Sequence, residues 1–364
     1  MLEDDATVMF RLDPRFPLND VETIGARLMA SGALTPGFVP PGVGLLDVRA
    51  MLYAERIEQI PTVLLPDRNV VTRMARIARD GGIGRNDAPT RLALDLMAFC
   101  QAMDVGIEPG LAFQELAQVE GDEVANEELR WFRVADTGER ATLWVDLAVG
   151  RADALPVLSP GPPEGLQLSR PVHRWRCNYA AMLTATALEL DGALTPVQRF
   201  GRLLDWMVDE FILAGPAAML CTKFLSPRAP RSGLVKGFRS PDRDRALAGV
   251  RNAAWDVTYL SELTRRAQPG SYAKARCIFA SADRALTELA PMLLIDVEEA
   301  SDYRHELAVR LEGWWGSDAD RVAGMLVDAI VGLEGRDAPV APPGVDDYVG
   351  FKIAEAERRV ATAV

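Results

Sequence analysis

Two short apolar runs constrain this chain most: TVLLPD at 62–67 and RCIFASAD at 276–283. Each is only four or five residues long, is apolar almost throughout, and leads into a turn that carries an aspartate. Segments of that kind are strands buried on both faces, and helices are what cover both faces of a parallel sheet. A third, weaker run, VGI at 105–107, fits the same description. The expectation is therefore an α/β fold, with a short parallel sheet flanked by helices. Ligands in such sheets sit beyond the carboxyl ends of the strands. TVLL stops at Asp67, with Asn69 two residues on and apolar residues resuming at once. A plain turn explains Pro66 and Asp67, and so does a catalytic carboxylate at a strand tip.

Helical periodicity fills most of the remaining chain. It predicts helices near 21–31, with Asn19 or Asp20 as N-cap, and over 46–59, 69–79 and 88–103. Another starts at Pro109 and Gly110 and carries Glu115, and TPVQRFGRLLDWMVDEFIL opens on Thr195 and Pro196. Helices are also expected over 250–267, from about 286, through 297–334, and over 346–361. GGIG at 81–84 lacks the Lys-Ser/Thr of a phosphate loop and follows a helix, so it reads as a C-cap. A strand is expected over Thr7 to Leu12, and TPGFVPPGVG at 35–44 reads as a loop.

Composition narrows the chemistry. Cys100, Cys177, Cys221 and Cys277 are far apart and form no Cys-x-x-Cys pair, and His173 and His305 are the only histidines. That set argues against zinc and leaves little room for histidine acid–base work, so the cysteines read as buried thiols. A carboxylate site remains, which suits a hard cation such as Mg²⁺ or Mn²⁺. No apolar run reaches the roughly 18 residues of a membrane span. The acidic start, MLEDDATVMF, lacks the basic region of a signal peptide, so a cytoplasmic protein without membrane contact is expected. The net charge of −12 argues against a general nucleic-acid coat, yet residues 223–251 hold eight basic and two acidic residues.

Four carboxylates lie where the strand rule puts chemistry or beside a buried face. Asp67 follows TVLL, Glu115 rides the helix after VGI, and Asp283 follows RCIFA. Asp256 lies on a helix next to Trp255, with Asn252 one turn earlier. Each alone has a structural reading: turn residue, solvated helix residue, helix N-cap or helix-surface acid. Together they call for a cation, since carboxylates sharing a pocket repel one another.

The order of these blocks resembles the PIN-like nucleases. LPDRNVV, with Asp67 and Asn69, is similar to their first strand end; IEPGLAFQELA, with Glu115, to their second acidic block. RNAAWDVTYL, with Asp256, and CIFASADRAL, with Asp283 and Arg284, match the third and fourth. The resemblance covers about 60–118 and 248–292. It implies a PIN-like core over 61–119 and 246–295, after an N-terminal extension at 1–60. A mainly helical insertion at 120–245 and a C-terminal helical region at 296–364 complete the chain.

What the resemblance implies is a metal-dependent ribonuclease, with Asp67, Glu115, Asp256 and Asp283 holding Mg²⁺ or Mn²⁺. Asn69 and Ser281 would orient a carboxylate or the attacking water. RNA is the expected substrate and DNA the variant of it; Arg68, Lys223, Arg228, Arg231, Lys236, Arg239, Arg251 and Arg284 would grip phosphates. A homodimer and a regulatory protein partner are compatible with the amphipathic C-terminal helices and with a toxin, defence or RNA-processing role. Trp255, Trp314 and Trp315 read as core residues first and as base-stacking platforms second. Two other readings stand beside this one: a non-catalytic scaffold or binding module of the same fold, and another Mg²⁺-dependent phosphohydrolase.

Overall fold

The computed structural model describes residues 10–363 apart from 85–86, 138–139, 163, 231–232, 273, 296–298, 334–338 and 340. The chain forms two compact units, Met1–Arg170 with Arg266–Arg284, and Pro171–Arg265 with Ala285–Val364. Helices dominate, and a small mixed four-stranded sheet makes the fold α/β.

The first unit runs α1 (Leu18–Ala30), β1 (Leu34–Pro36), α2 (Val48–Arg56), β2 (Thr62–Pro66), α3 (Arg68–Asp80), α4 (Ala88–Met103), β3 (Gly106–Ile107), α5 (Gly110–Glu120), α6 (Asp122–Ala135) and α7 (Ala141–Val149). The strand order is β1-β4-β2-β3, where β4 is Arg276–Ala280. β2 is central and parallel to both neighbours: Thr62 to Pro66 pair with Arg276 to Ala280, and Val63 and Leu64 pair with Gly106 and Ile107. β3 stops short of Pro66, so this residue lies beyond the stretch where both edges of β2 are used.

Local chemistry sets the helix ends. Asp47, Asp67 and Asp87 each accept a backbone N–H three residues on, at 2.8, 2.9 and 2.9 Å, and so cap α2, α3 and α4. Gly81 ends α3 at φ 72°, a left-handed conformation that glycine adopts without a Cβ clash. α4 is buried on nearly all sides, from Leu92 to Cys100, and α1, α3 and α7 pack against it. Its one carboxylate, Asp95, is held bidentately by Arg27 at 2.7 and 2.9 Å, with Arg91 at 3.4 Å. A charge inside this core is tolerable only because it is paired.

Three local expectations change. The Pro/Gly segment at 35–44 gives up its start to β1, which pairs antiparallel with β4. A three-residue edge strand has no readable periodicity, and proline is tolerated at an edge. α1 begins at Leu18, with Pro17 at the N-cap position and no side-chain cap, so neither Asn19 nor Asp20 serves. The strand expected over 7–12 lies outside the described residues up to position 9, and 10–12 have no regular structure.

The second unit contains α8 (His173–Leu190), α9 (Pro196–Asp209), α10 (Gly215–Phe224) and α11 (Arg243–Arg266) up to its last residue. A short α12 (Pro269–Tyr272) belongs to the first unit, before β4. α13 (Arg284–Leu289), α14 (Ala300–Trp315), α15 (Ala319–Val331) and α16 (Tyr348–Thr362) follow. α16, α9 and α10 pack on α8, and α14 packs on α15. Thr195 and Gln198 form the reciprocal capping box at the start of α9. Asp256 falls in this unit, as does the whole basic stretch 223–251, and helices α6 and α7 belong to the first. The division therefore cuts through the segment expected as one insertion.

Candidate functional site

Parallel pairing of β2 with β4 continues one step past both strands. The Asp67 N–H donates to the Ala280 carbonyl at 2.9 Å, which sets Asp67 level with Ser281. Level residues on neighbouring strands stand about 4.8 Å apart, close enough for a side-chain hydrogen bond. The Ser281 hydroxyl donates to Asp67 Oδ2 at 2.5 Å, and the same oxygen of Ser281 accepts the Asp283 N–H at 2.9 Å. Asp67 Oδ1 accepts the Val70 N–H at 2.9 Å. The Ser281 N–H is held by the Ala33 carbonyl at 3.0 Å, beside the strand β1. The result is a hydrogen-bonded chain, Val70–Asp67–Ser281–Asp283, across the tips of adjacent strands, half-buried only at Asp283. Asp67 is 3% exposed and Ser281 1%.

Asp67 is not an ordinary surface cap. Burial pushes its carboxyl above the usual carboxylate range, and the nearby Asp283 charge adds to the rise. Hydrogen bonds from Ser281, Val70 and Ala282 oppose it without cancelling it.

Glu115 comes to the same end of the unit through Arg68, the residue after Asp67. The Arg68 guanidinium lies 3.6 Å from Glu115 and 3.1 Å from Glu120, so one arginine is shared by two carboxylates of α5. Asn69 is exposed on the first turn of α3, where its carbonyl accepts from Arg73. Glu108, at the tip of β3, is a strand-end acid that sequence reasoning passed over. Its N–H donates to the Leu64 carbonyl, and its carboxylate pairs bidentately with Arg266. The signal was available: Glu108 follows VGI just as Asp67 follows TVLLP.

Asp67, Ser281 and Asp283 are thus brought together, and Arg68 ties Glu115 to the same turn. Asp256 lies in the second unit, half-buried on α11, with Asn252 Nδ2 at 3.5 Å. Among the described residues no group of three or more His, Cys, Asp or Glu side chains is arranged to hold a metal ion. The strand tips offer two carboxylates, Asp67 and Asp283, and the Ser281 hydroxyl, all hard oxygens. Mg²⁺ characteristically uses one or two carboxylates and fills its shell with water and substrate phosphate. Asp67 has about one lone-pair direction left after its three hydrogen bonds.

The basic residues are less available than their sequence density implies. Lys223 is buried, paired with Glu288 and placed over the Trp314 ring. An ammonium buried in that way is structural, and the expectation that it grips phosphate does not hold in this geometry. Arg239 pairs with the buried Glu189, Arg243 donates to the Ala363 carbonyl, and Arg251 lies over Tyr179 and 3.6 Å from Glu357. Arg228 rests against Gly316. Lys236 and Arg284 are exposed, and Arg231 lies outside the described residues. Trp255 and Trp315 are core residues, the latter donating to the Thr222 carbonyl at 2.7 Å.

A scan against protein-family models finds no match for this chain, and neither the search of curated proteins nor that of solved structures returns one.

Proposed function

We propose that the carboxyl ends of β2 and β4 form the hydrolytic pocket of a divalent-cation-dependent nuclease on a PIN-like core, with RNA as its substrate. The observation that carries this reading is the hydrogen-bonded Asp67–Ser281–Asp283 chain. It places two carboxylates and a hydroxyl at the tips of adjacent parallel strands, and it leaves the inner carboxyl strained by burial. The central strand has its two parallel neighbours on opposite sides, so the tips of β2 and β4 border the crevice where α/β sheets bind ligands.

In this reading Asp67 and Asp283 would hold Mg²⁺ or Mn²⁺, which would supply charge neutralisation at the scissile phosphate and acidify water there. Ser281 fixes the Asp67 carboxylate through Oδ2 while the Val70 N–H fixes Oδ1, so the inner ligand does not rotate. Arg68 holds Glu115 at the pocket's edge. Asn69, exposed beside them, is placed to meet the substrate strand. Asp256, in the second unit, is carried by the resemblance alone. The cytoplasm is the setting this chemistry suits.

One observation favours a second reading, a non-catalytic module of the same fold. Both Asp67 oxygens are already engaged by the protein, which is what a purely structural cap requires. The two separate on one experiment. Labelled single-stranded RNA, structured RNA and DNA are incubated with Mn²⁺ or Mg²⁺, and with EDTA, using wild type, Asp67→Asn and Asp283→Asn. The nuclease reading expects metal-dependent cutting of RNA that both variants lose. No cutting by wild type, with no heat of Mn²⁺ binding by calorimetry, establishes the structural cap instead.

A further inference from the structure

We infer that the groove between α3 and α6 is a nucleotide subsite that takes a guanine base against Trp131 and Glu128 and its phosphate at Arg76. The groove encloses about 320 Å³, at the lower end of the range of small-ligand pockets. Thr72, Ala75, Arg76 and Arg79 come from one face of α3; Glu123, Glu127 and Trp131 recur every fourth residue on the facing side of α6. Three chemically different features meet there.

The first is a fixed ring. Trp131 is half-buried, and its indole N–H donates to Glu127 Oε1 at 3.1 Å. The other Glu127 oxygen is held by Arg130, whose Nε donates to the Gly161 carbonyl at 2.8 Å. The indole is therefore locked before any ligand arrives, and the Glu127 charge is neutralised. An aromatic face held in this way is a stacking platform for an unpaired base. The second is Glu128, one of whose carboxylate oxygens is buried without a hydrogen-bond partner. That oxygen is closed to a ligand, so the carboxylate takes donors only from its groove side. Guanine offers two adjacent donors, N1–H and the N2 amino group, to a carboxylate approached from one side. The third is Arg76, an exposed guanidinium with no hydrogen bond or ion pair among the described residues. Arg79, by contrast, is paired with Asp80. Arg76 is the group left to meet a phosphate.

A donor edge, a planar ring and an anion in one ligand describe a nucleotide. A basic side chain would satisfy Glu128 but would face Arg76 and Arg79 and leave Arg76 unused. Arg76 stands nine residues along α3 from Asp67, about 13 Å at helical rise. A single RNA strand lying along α3 reaches from the pocket to the groove. Membership of that strand is the one part of the inference that rests on the nuclease reading.

The test is calorimetric titration of the full chain with GMP, AMP, CMP and UMP in EDTA, which keeps metal chemistry out. GMP is expected to bind most tightly. Arg76→Ala is expected to weaken GMP about tenfold, and Glu128→Gln to remove the preference for GMP over AMP, since the glutamine amino group repels the guanine donors. Trp131→Ala should lose binding and Trp131→Phe retain part of it, which separates a lost platform from a lost fold. GMP binding unchanged in Arg76→Ala and Glu128→Gln overturns the subsite, and so does the absence of any nucleotide heat with wild type. Selective GMP binding by a chain that cuts no RNA upholds the subsite and removes the nuclease. RNA cutting with indifferent variants does the reverse.

Discussion

Replacing Asp67 by asparagine should stabilise the first unit at neutral pH, even though it removes the central acid of the proposed pocket. Asparagine is as good an N-cap as aspartate, so its Oδ1 can keep the Val70 N–H. Its amide N–H₂ then faces Ser281 Oγ, which still has acceptor capacity beside the Asp283 N–H. One acceptor oxygen is lost, as it is in the protonated acid, so the Ala282 N–H and the Ser281 hydroxyl proton give up their partner while the buried charge disappears. The sign follows from linkage. Burial raises the Asp67 carboxyl above its unfolded value, so between those two values the folded state binds more protons than the unfolded one. Stability from this group is full in acid and falls as pH rises through that interval, after which the loss stays constant. Wild type and Asp67→Asn should therefore melt together at acid pH and separate upward, with the variant the more stable.

Asp67→Ala is the control. It removes the cap, at about 1 kcal/mol, and strands a buried Ser281 hydroxyl, at about 1–3 kcal/mol. Relief of the buried charge offsets part of that sum. The net should still be a loss of about 1–2 kcal/mol, or roughly 2–8 °C for a unit of this size. The measurement is thermal unfolding in EDTA from pH 4 to pH 8, followed by hydrogen exchange at the Val70 and Leu64 amides to isolate the first unit. Asp67→Asn melting below wild type at pH 8, with the gap closing in acid, would refute the reasoning. It would mean that the folded protein favours the Asp67 charge.

Substitutions at three other places probe the supports of each unit. Gly249→Ala would place a Cβ 1.7 Å from the Lys236 carbonyl oxygen, a backbone atom, so α11 must move; denaturant unfolding should show a loss of about 3 kcal/mol. Glu189 is fully buried between Arg199, 12% exposed, and Arg239, 65% exposed. Arg199→Ala should cost about 3 kcal/mol and Arg239→Ala less than about 1 kcal/mol, and a urea titration of each distinguishes them. Asp95→Ala leaves the Arg27 guanidinium, about a third exposed, without its bidentate partner in the first unit. A drop of about 3 kcal/mol is expected, and melting of Asp95→Ala beside the Arg27→Ala/Asp95→Ala double variant measures how much of it is the orphaned charge.

The sheet was readable because its parallel strands are short, apolar and punctuated. RCIFA occupies β4 to the residue, and TVLL falls one short of β2. The helices were readable where caps and periodicity agreed, as at Ala88–Met103 and at Thr195. β1 was hidden because three residues carry no period and its composition is that of a loop. The basic stretch misled for a different reason. Charge density along the chain says nothing about pairing, and Lys223, Arg239 and Arg251 find their carboxylates at residues 65, 50 and 106 positions away. Long-range ion pairs are written in the fold alone.

Asp67 shows the same limit in the opposite direction. Sequence offers a turn residue or a strand-tip acid as alternatives, but the geometry makes them one residue. The carboxylate that caps α3 is the carboxylate that meets Ser281, because the helix begins where the parallel ladder ends. A cap on an exposed helix would keep its ordinary acidity; this one is raised because the strand tip beneath it is buried. The cap and the raised carboxyl pKa therefore have one cause, the abrupt step from β2 to α3. That is why removing the charge without removing the cap is the perturbation that separates a scaffold from an enzyme.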